Sequence, residues 1–166
     1  MQRIVFLYAL LVSLIIVGCT QSSTPEPLKT PAPEKPTTST LPVSNGKWTI
    51  EMAHTGGIMG LSRSIEISSD GKFTVTDKRA NKTINGELSA VELSKTNELL
   101  SSSQYISPTK PNGMVCADCF IYDVEIRTDG EEFAVQLNDI SLPESGLEPL
   151  VDYLRNLIDT TLKQNT

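Results

Sequence analysis

Histidine is almost missing from this chain, since His54 is its only one among 166 residues. A zinc peptidase of the H-E-x-x-H type needs two histidines on one helix, so that class is excluded. A Ser–His–Asp hydrolase would have to use His54, and no G-x-S-x-G elbow accompanies it. A zinc site made of His54, Cys116 and Cys119 would lack a fourth ligand and the usual paired spacing. We therefore expect no catalytic residues, no metal and no cofactor, and a structural role for His54.

Basic residues are scarce as well. The chain has 14 Lys and Arg against 20 Asp and Glu, which gives a formal net charge of −6. Nucleic-acid-binding domains usually carry a clustered basic footprint, so we expect no nucleic-acid partner. Because anionic lipid surfaces repel acidic domains, the folded part should not contact a membrane by itself.

Long apolar runs are absent except at the N-terminus. A short positive start precedes the apolar stretch Ile4–Val17, which is shorter than the about 20 residues of a membrane span and is typical of a secretory signal. The ending Ile16–Cys19 resembles a bacterial lipobox, where signal peptidase cuts before a lipid-modified cysteine. That resemblance implies a signal peptide over residues 1–18. It also implies acyl chains on Cys19 that hold the protein on the cell membrane or outer membrane, outside the cytoplasm. An ordinary signal peptide or a single membrane helix is the alternative.

The chain has three cysteines. If Cys19 carries lipid, Cys116 and Cys119 are left as a pair, and exported pairs are more often bridged than free. Redox Cys-x-x-Cys motifs lower a thiol pKa at a helix N-terminus, but the residues after Cys119 have the pattern of a strand. We therefore favour a structural disulfide, with a thiol–disulfide protein as the alternative function.

Composition divides the mature chain in two. Residues 19–45 are rich in Pro, Thr and Ser, have no apolar periodicity and cannot build a core, which predicts a disordered tether. Residues 46–166 have the size of one ordinary domain.

Alternating apolar residues predict strands within this domain, and two helical patterns separate or follow them. The first helix starts at Ser89 with a capping box completed by Glu92 and runs to about Ser101. The second has an apolar stripe at helical spacing. Its members are Leu147, Leu150, Val151, Leu154, Leu157 and Ile158. We predict an α+β fold, with a small antiparallel sheet in the order ββββαββα and both helices packed on one face.

The segment between the first two predicted strands is unusual. Gly56, Gly57 and Gly60 surround Ile58 and Met59, and Leu61 follows. A phosphate-binding loop is excluded, because the G-x-x-x-x-G-K-[ST] pattern is missing and a strand follows. Either the two large apolar side chains fold back onto the core, or they form a recognition loop that presents apolar anchors to a partner.

A family resemblance bears on this choice. The chain resembles emfourin-like proteins in the order of several features. These are the segment Thr55–Leu61 with Arg63, a helix, the aromatic-rich strand Phe120–Ile126, the Asp129-Gly130 turn and a final helix opening at Leu147. The resemblance covers roughly Trp48 to Ile158. It implies a small α+β inhibitor that blocks a thermolysin-type zinc metallopeptidase, with a secreted enzyme of that class as partner.

In that interpretation Gly56, Gly57, Ile58, Met59, Gly60 and Leu61 form the partner-binding loop. The chain departs from the family in an extra hairpin over 73–86, in the Cys116/Cys119 pair and in the implied lipid anchor. An envelope lipoprotein with a purely structural role is the third interpretation.

Overall fold

A computed structural model describes residues 38–41, 46–107 and 116–165. The predicted signal peptide, Cys19 and most of the predicted tether lie outside these residues. Within the described ranges, no helix is long and apolar enough to cross a membrane.

The described residues form eight strands and two helices. In chain order they are β1 (Thr38–Thr40), β2 (Trp48–Gly56), β3 (Leu61–Ser68), β4 (Lys72–Asp77), β5 (Lys82–Glu87), α1 (Ala90–Ser102), β6 (Gln104–Ile106), β7 (Phe120–Thr128), β8 (Glu132–Asn138) and α2 (Glu148–Gln164). Six of these strands make one antiparallel sheet in the spatial order β5-β4-β3-β2-β7-β8, and β1 pairs with β6 in a separate small sheet. The predicted α+β class and the order ββββαββα along the main sheet are confirmed.

Tight turns join neighbouring strands and keep the register. Gly71 follows Asp70 between β3 and β4 with φ +86°, a conformation that glycine adopts without steric cost. Asn81 has φ 49° in the turn between β4 and β5. In this register Ile50 of β2 lies opposite Ile67 on one side and Ile126 on the other, so the apolar side chains share one face.

The core lies between that face and the helices. The apolar stripe of α2 is buried as predicted, with Leu157 half-buried at its margin. Helix α1 lies on the same face, because Trp48, which is buried there, donates from Nε1 to Asn97 Oδ1 of α1 at 3.1 Å.

Helix α1 begins with the capping box expected from the sequence. Ser89 Oγ accepts a hydrogen bond from Glu92 N at 3.3 Å, and Glu92 Oε2 accepts one from Ser89 N at 2.8 Å. Two backbone donors that the helix leaves free are thereby satisfied.

The end of the predicted tether belongs to the folded domain. Ser39 pairs with Tyr105 in the β1–β6 sheet, and Leu41 is buried in the core. The prediction of a disordered segment through residue 45 is therefore wrong for Thr38–Leu41. These residues are ordered because they pair with a strand more than sixty positions away in the chain. Composition and local periodicity give no signal of such a pairing.

Candidate functional site

The connection between β2 and β3 is a compact glycine loop, here called the apolar loop and defined as Gly56–Leu61. Gly56 and Leu61 are partners in the register and close it. Gly56, Gly57 and Gly60 have φ values of +94°, +67° and +60°, which L side chains rarely adopt. Gly60 N donates to Gly57 O at 2.9 Å, so the chain turns back over two residues. This turn places Ile58 and Met59 at the tip.

Both tip side chains stand in solvent. Ile58 is 86% exposed and Met59 is 76% exposed, whereas Leu61 at the base is half-buried. Of the two arrangements that the sequence left open, the exposed tip is the one observed, and the interpretation that Ile58 and Met59 fold back onto the core is wrong. Two adjacent large apolar side chains in water cost free energy that a partner can recover by covering them.

The base of the apolar loop is fitted closely to the turn before β7. Gly57 N donates to Cys119 O at 3.1 Å. A Cβ on Gly56 would lie 2.5 Å from that same carbonyl oxygen, and a Cβ on Gly57 would lie 2.6 Å from Cε1 of Phe120. Any side chain at these positions would separate the two segments, so the glycines permit the contact as well as the turn.

A second contact holds the loop from the other side. The guanidinium of Arg79 donates to the backbone oxygen of Met59. Arg79 is held by its own turn, since Asp77 Oδ1 accepts from the backbone N of Arg79 at 3.0 Å and of Ala80 at 3.1 Å. The apolar loop is thus anchored between the turn before β7 and the turn after β4.

Cys116 and Cys119 form a disulfide across this first turn, with their Cα atoms 5.3 Å apart. The pairing is the one expected from the sequence. Strand β7 follows directly, so among the described residues no helix begins at Cys116 that could stabilise a thiolate. This geometry favours a structural bridge over a thiol–disulfide enzyme.

His54 lies inside the sheet just below the apolar loop. It is 7% exposed, and its ring stacks on Tyr122 at 5.0 Å and meets the edge of Phe120 at 4.8 Å. Its Nε2 has no hydrogen-bond partner among the described residues. Burial, aided by the nearby cation Arg155, lowers the pKa of His54 from 6.5 to about 4. A neutral, enclosed imidazole fits the structural role predicted from the sequence.

Asp139 accepts hydrogen bonds from the two residues of β7 that pack against His54. Its carboxylate accepts from Phe120 N at 2.7 Å and from Tyr122 Oη at 2.9 Å. Burial, and then the bond to Asp139, raises the pKa of Tyr122 to about 12. Sequence reasoning missed Asp139, because its only local signal is an acidic residue just after a strand.

Arg63 lies in β3, just after the apolar loop, and forms ion pairs with two aspartates. It donates from Nε to Asp77 Oδ2 at 3.0 Å and from a terminal nitrogen to Asp159 Oδ1 of α2 at 2.9 Å. The first of these bonds contributes to a lowered pKa for Asp77, after the larger effect of the backbone N–H of Ala80. Both bonds tie β3 to its neighbours and leave Arg63 with a structural role.

The other face of the sheet carries a shallow depression of about 320 Å³, lined by Glu51, Ala53, Asp123, Val124, Glu125, Ala134, Val135 and Gln136. Its lining includes no histidine, cysteine, serine or threonine. In the described ranges, no group of three or more His, Cys, Asp or Glu side chains is arranged to hold a metal ion. The exposed apolar loop is therefore the surface feature that most needs a functional account.

No protein-family model matches this chain, and a search of the curated proteins also finds no match. The resemblance to emfourin-like proteins thus depends on the motifs quoted above and on their order.

Proposed function

We propose that this protein is a lipid-anchored, extracytoplasmic binding protein whose apolar loop inhibits thermolysin-type metallopeptidases by occupying their cleft. One observation carries the proposal: Ile58 and Met59 are 86% and 76% exposed at the tip of a loop whose backbone is held at Gly57 and at Met59. The family resemblance supplies the class of the partner.

The chemistry of the loop suits a narrow apolar cleft. Thermolysin-type enzymes favour large apolar side chains, and Ile58 and Met59 offer two. The flanking glycines carry no side chains, which allows the backbone to approach the walls of the cleft closely. Covering an apolar side chain in a desolvated pocket is the usual source of strong binding at a protein interface.

The two anchoring contacts favour an inhibitor over a substrate. A free peptide loses backbone freedom when it binds, whereas a loop already held at Gly57 and Met59 loses less. Binding of an ordered loop is then tighter than binding of a flexible peptide of the same sequence.

The position of the loop suits a tethered protein. The chain enters β2 at Trp48 and reaches the apolar loop at Gly56, about 26 Å away at about 3.3 Å per residue. The loop therefore lies at the end of the sheet opposite to the entry of β2. The chain that carries the proposed anchor joins β2 at the other end of this strand.

The experiment titrates several thermolysin-type peptidases with the detergent-solubilised full-length protein and measures residual activity. Met59→Asp should weaken inhibition by roughly 30-fold or more, the effect of losing an interface anchor. Its melting temperature should stay within about 2 °C of wild type, because the side chain contacts solvent and not the core.

Val91 provides a matched control, because it is apolar and 79% exposed but lies on α1, away from the loop. Val91→Asp should leave inhibition unchanged. The proposal is wrong if none of the enzymes is inhibited at micromolar protein, or if the two variants inhibit equally well.

A further inference from the structure

We propose that the Cys116–Cys119 disulfide is a redox latch on the apolar loop. In the bridged form it holds the loop in its binding conformation, and reduction by a dithiol releases the loop and weakens partner binding. The inference rests on the proposed function, since the surface it regulates is the same loop.

The latch works through the backbone of Cys119. Its carbonyl accepts the hydrogen bond from Gly57 N at 3.1 Å and packs where a Cβ of Gly56 would lie. The disulfide joins Cys119 to Cys116 across the short turn that precedes β7. Without the bridge, the chain entering Cys119 has more conformations, and the carbonyl is less often aimed at Gly57.

The effect of reduction should stay local. Strand β7 begins at Phe120, which pairs with Gly56 in the sheet and donates its N–H to Asp139 at 2.7 Å. The core positions of β7 lie further along the strand and do not depend on the turn. Opening the bridge therefore loosens the contact with the apolar loop and leaves the sheet in place.

The bridge is also reachable. Ala117 and Asp118 between the two cysteines are exposed, and both cysteines are half-buried. A thiolate of the dithiol attacks one sulfur, which breaks the S–S bond and forms a mixed disulfide, and the second thiol of the reagent displaces the protein sulfur. Two electrons and two protons pass to Cys116 and Cys119, and the dithiol becomes a disulfide.

The first measurement follows amide hydrogen exchange in the full-length protein before and after dithiothreitol. The Gly57 amide should exchange about fivefold faster after reduction, the factor expected for one ordinary backbone hydrogen bond. The amide of Ile50, which lies in β2 at the end away from the apolar loop, should keep its protection. Added to the Cys116→Ser/Cys119→Ser variant, the reagent should change nothing, which controls for effects on Cys19.

The second measurement compares inhibition by wild type and by the Cys116→Ser/Cys119→Ser variant, without dithiol, because thiols bind the enzyme's zinc. The variant should inhibit several-fold more weakly. The latch proposal is wrong if the exchange rate of the Gly57 amide does not change on reduction, or if the Ile50 amide loses protection to the same extent. It is also wrong if the wild type inhibits a peptidase and the variant inhibits it equally well. If the bridged protein inhibits nothing, the proposed function fails, and the exchange rates alone decide whether the bridge holds the loop.

Discussion

Among single residues, His54 shows how burial sets a charge state. The ring lies between Phe120 and Tyr122, where a proton would bring charge into an enclosed site already near Arg155 and Arg63. The pKa of about 4 is therefore the consequence of position and not of a catalytic task.

This pKa predicts how stability depends on acidity. The unfolded chain takes up a proton on His54 near pH 6.5, whereas the folded protein does so only near pH 4. Above about pH 6.5 both states are neutral and stability is unaffected. As the pH falls from about 6.5 to about 4, the free energy of unfolding should drop by about 3 kcal/mol because of His54.

His54→Phe provides the comparison, because it keeps an aromatic ring and removes the titrating group. Urea denaturation at several pH values should show the variant losing less stability than wild type between about pH 6.5 and pH 4. The lowered pKa of Asp77 affects stability below this pH range, so it does not produce the pH dependence expected for His54. Parallel pH profiles for the two proteins would contradict the assignment.

At the scale of elements, the glycines of the apolar loop meet different structural requirements. Gly56 combines a φ of +94° with a close neighbour, since the Cys119 carbonyl oxygen lies 2.5 Å from the place that a Cβ would take. Gly60 has a φ of +60°, and a Cβ there would meet nothing within 4 Å. Gly60 thus needs only backbone freedom, and Gly56 needs both freedom and space.

Alanine substitutions at Gly56 and Gly60 separate the requirement for backbone freedom from the requirement for space. Gly60→Ala should cost about 1 kcal/mol of unfolding free energy through backbone strain. Gly56→Ala should cost at least about 2 kcal/mol, because it adds a clash with Cys119 to the same strain. Urea denaturation of the two variants measures the difference. Equal costs would mean that the contact with Cys119 does not constrain the loop.

For the whole molecule, the boundary of the domain matters. Leu41 is 3% exposed, and β1 pairs with β6 upstream of the position where composition changes. A chain that begins at Gly46 should therefore be less stable than one that begins at Pro33 by about 2 kcal/mol, mostly from the lost burial of Leu41.

The measurement is urea denaturation of the two chains. Leu41→Ala in the longer chain is the control and should reproduce most of the loss. Identical stabilities for the two chains would show that β1 and Leu41 contribute nothing to the fold.

The proposed anchoring also belongs to the whole molecule, and the proposal places it at a residue outside the described ranges. If the proposal is right, Cys19→Ala should abolish stable membrane attachment, because the proposed lipid would be added to that thiol and stable anchoring takes two signals. Fractionation after a high-salt wash is the measurement. A variant that still sediments with membranes would show that the segment Ile4–Val17 anchors the protein itself.

Local pattern determined much of this protein from sequence alone. The alternation in β2 and β3, the Asp70-Gly71 turn, the Ser89–Glu92 capping box and the stripe of α2 were predictable because neighbouring residues cause them. The glycine spacing likewise predicted a loop between β2 and β3 with Ile58 and Met59 at its tip, but it left open whether these side chains fold back onto the core.

Tertiary structure alone decided which distant groups meet. The carbonyl of Cys119 under Gly57, the carboxylate of Asp139 on Phe120 and the burial of Leu41 each join segments far apart in the chain. Such contacts depend on the register of the sheet and on the space left after the core has packed, and neither quantity is encoded in a local window. For that reason the sequence identified the loop, and the fold revealed what holds it.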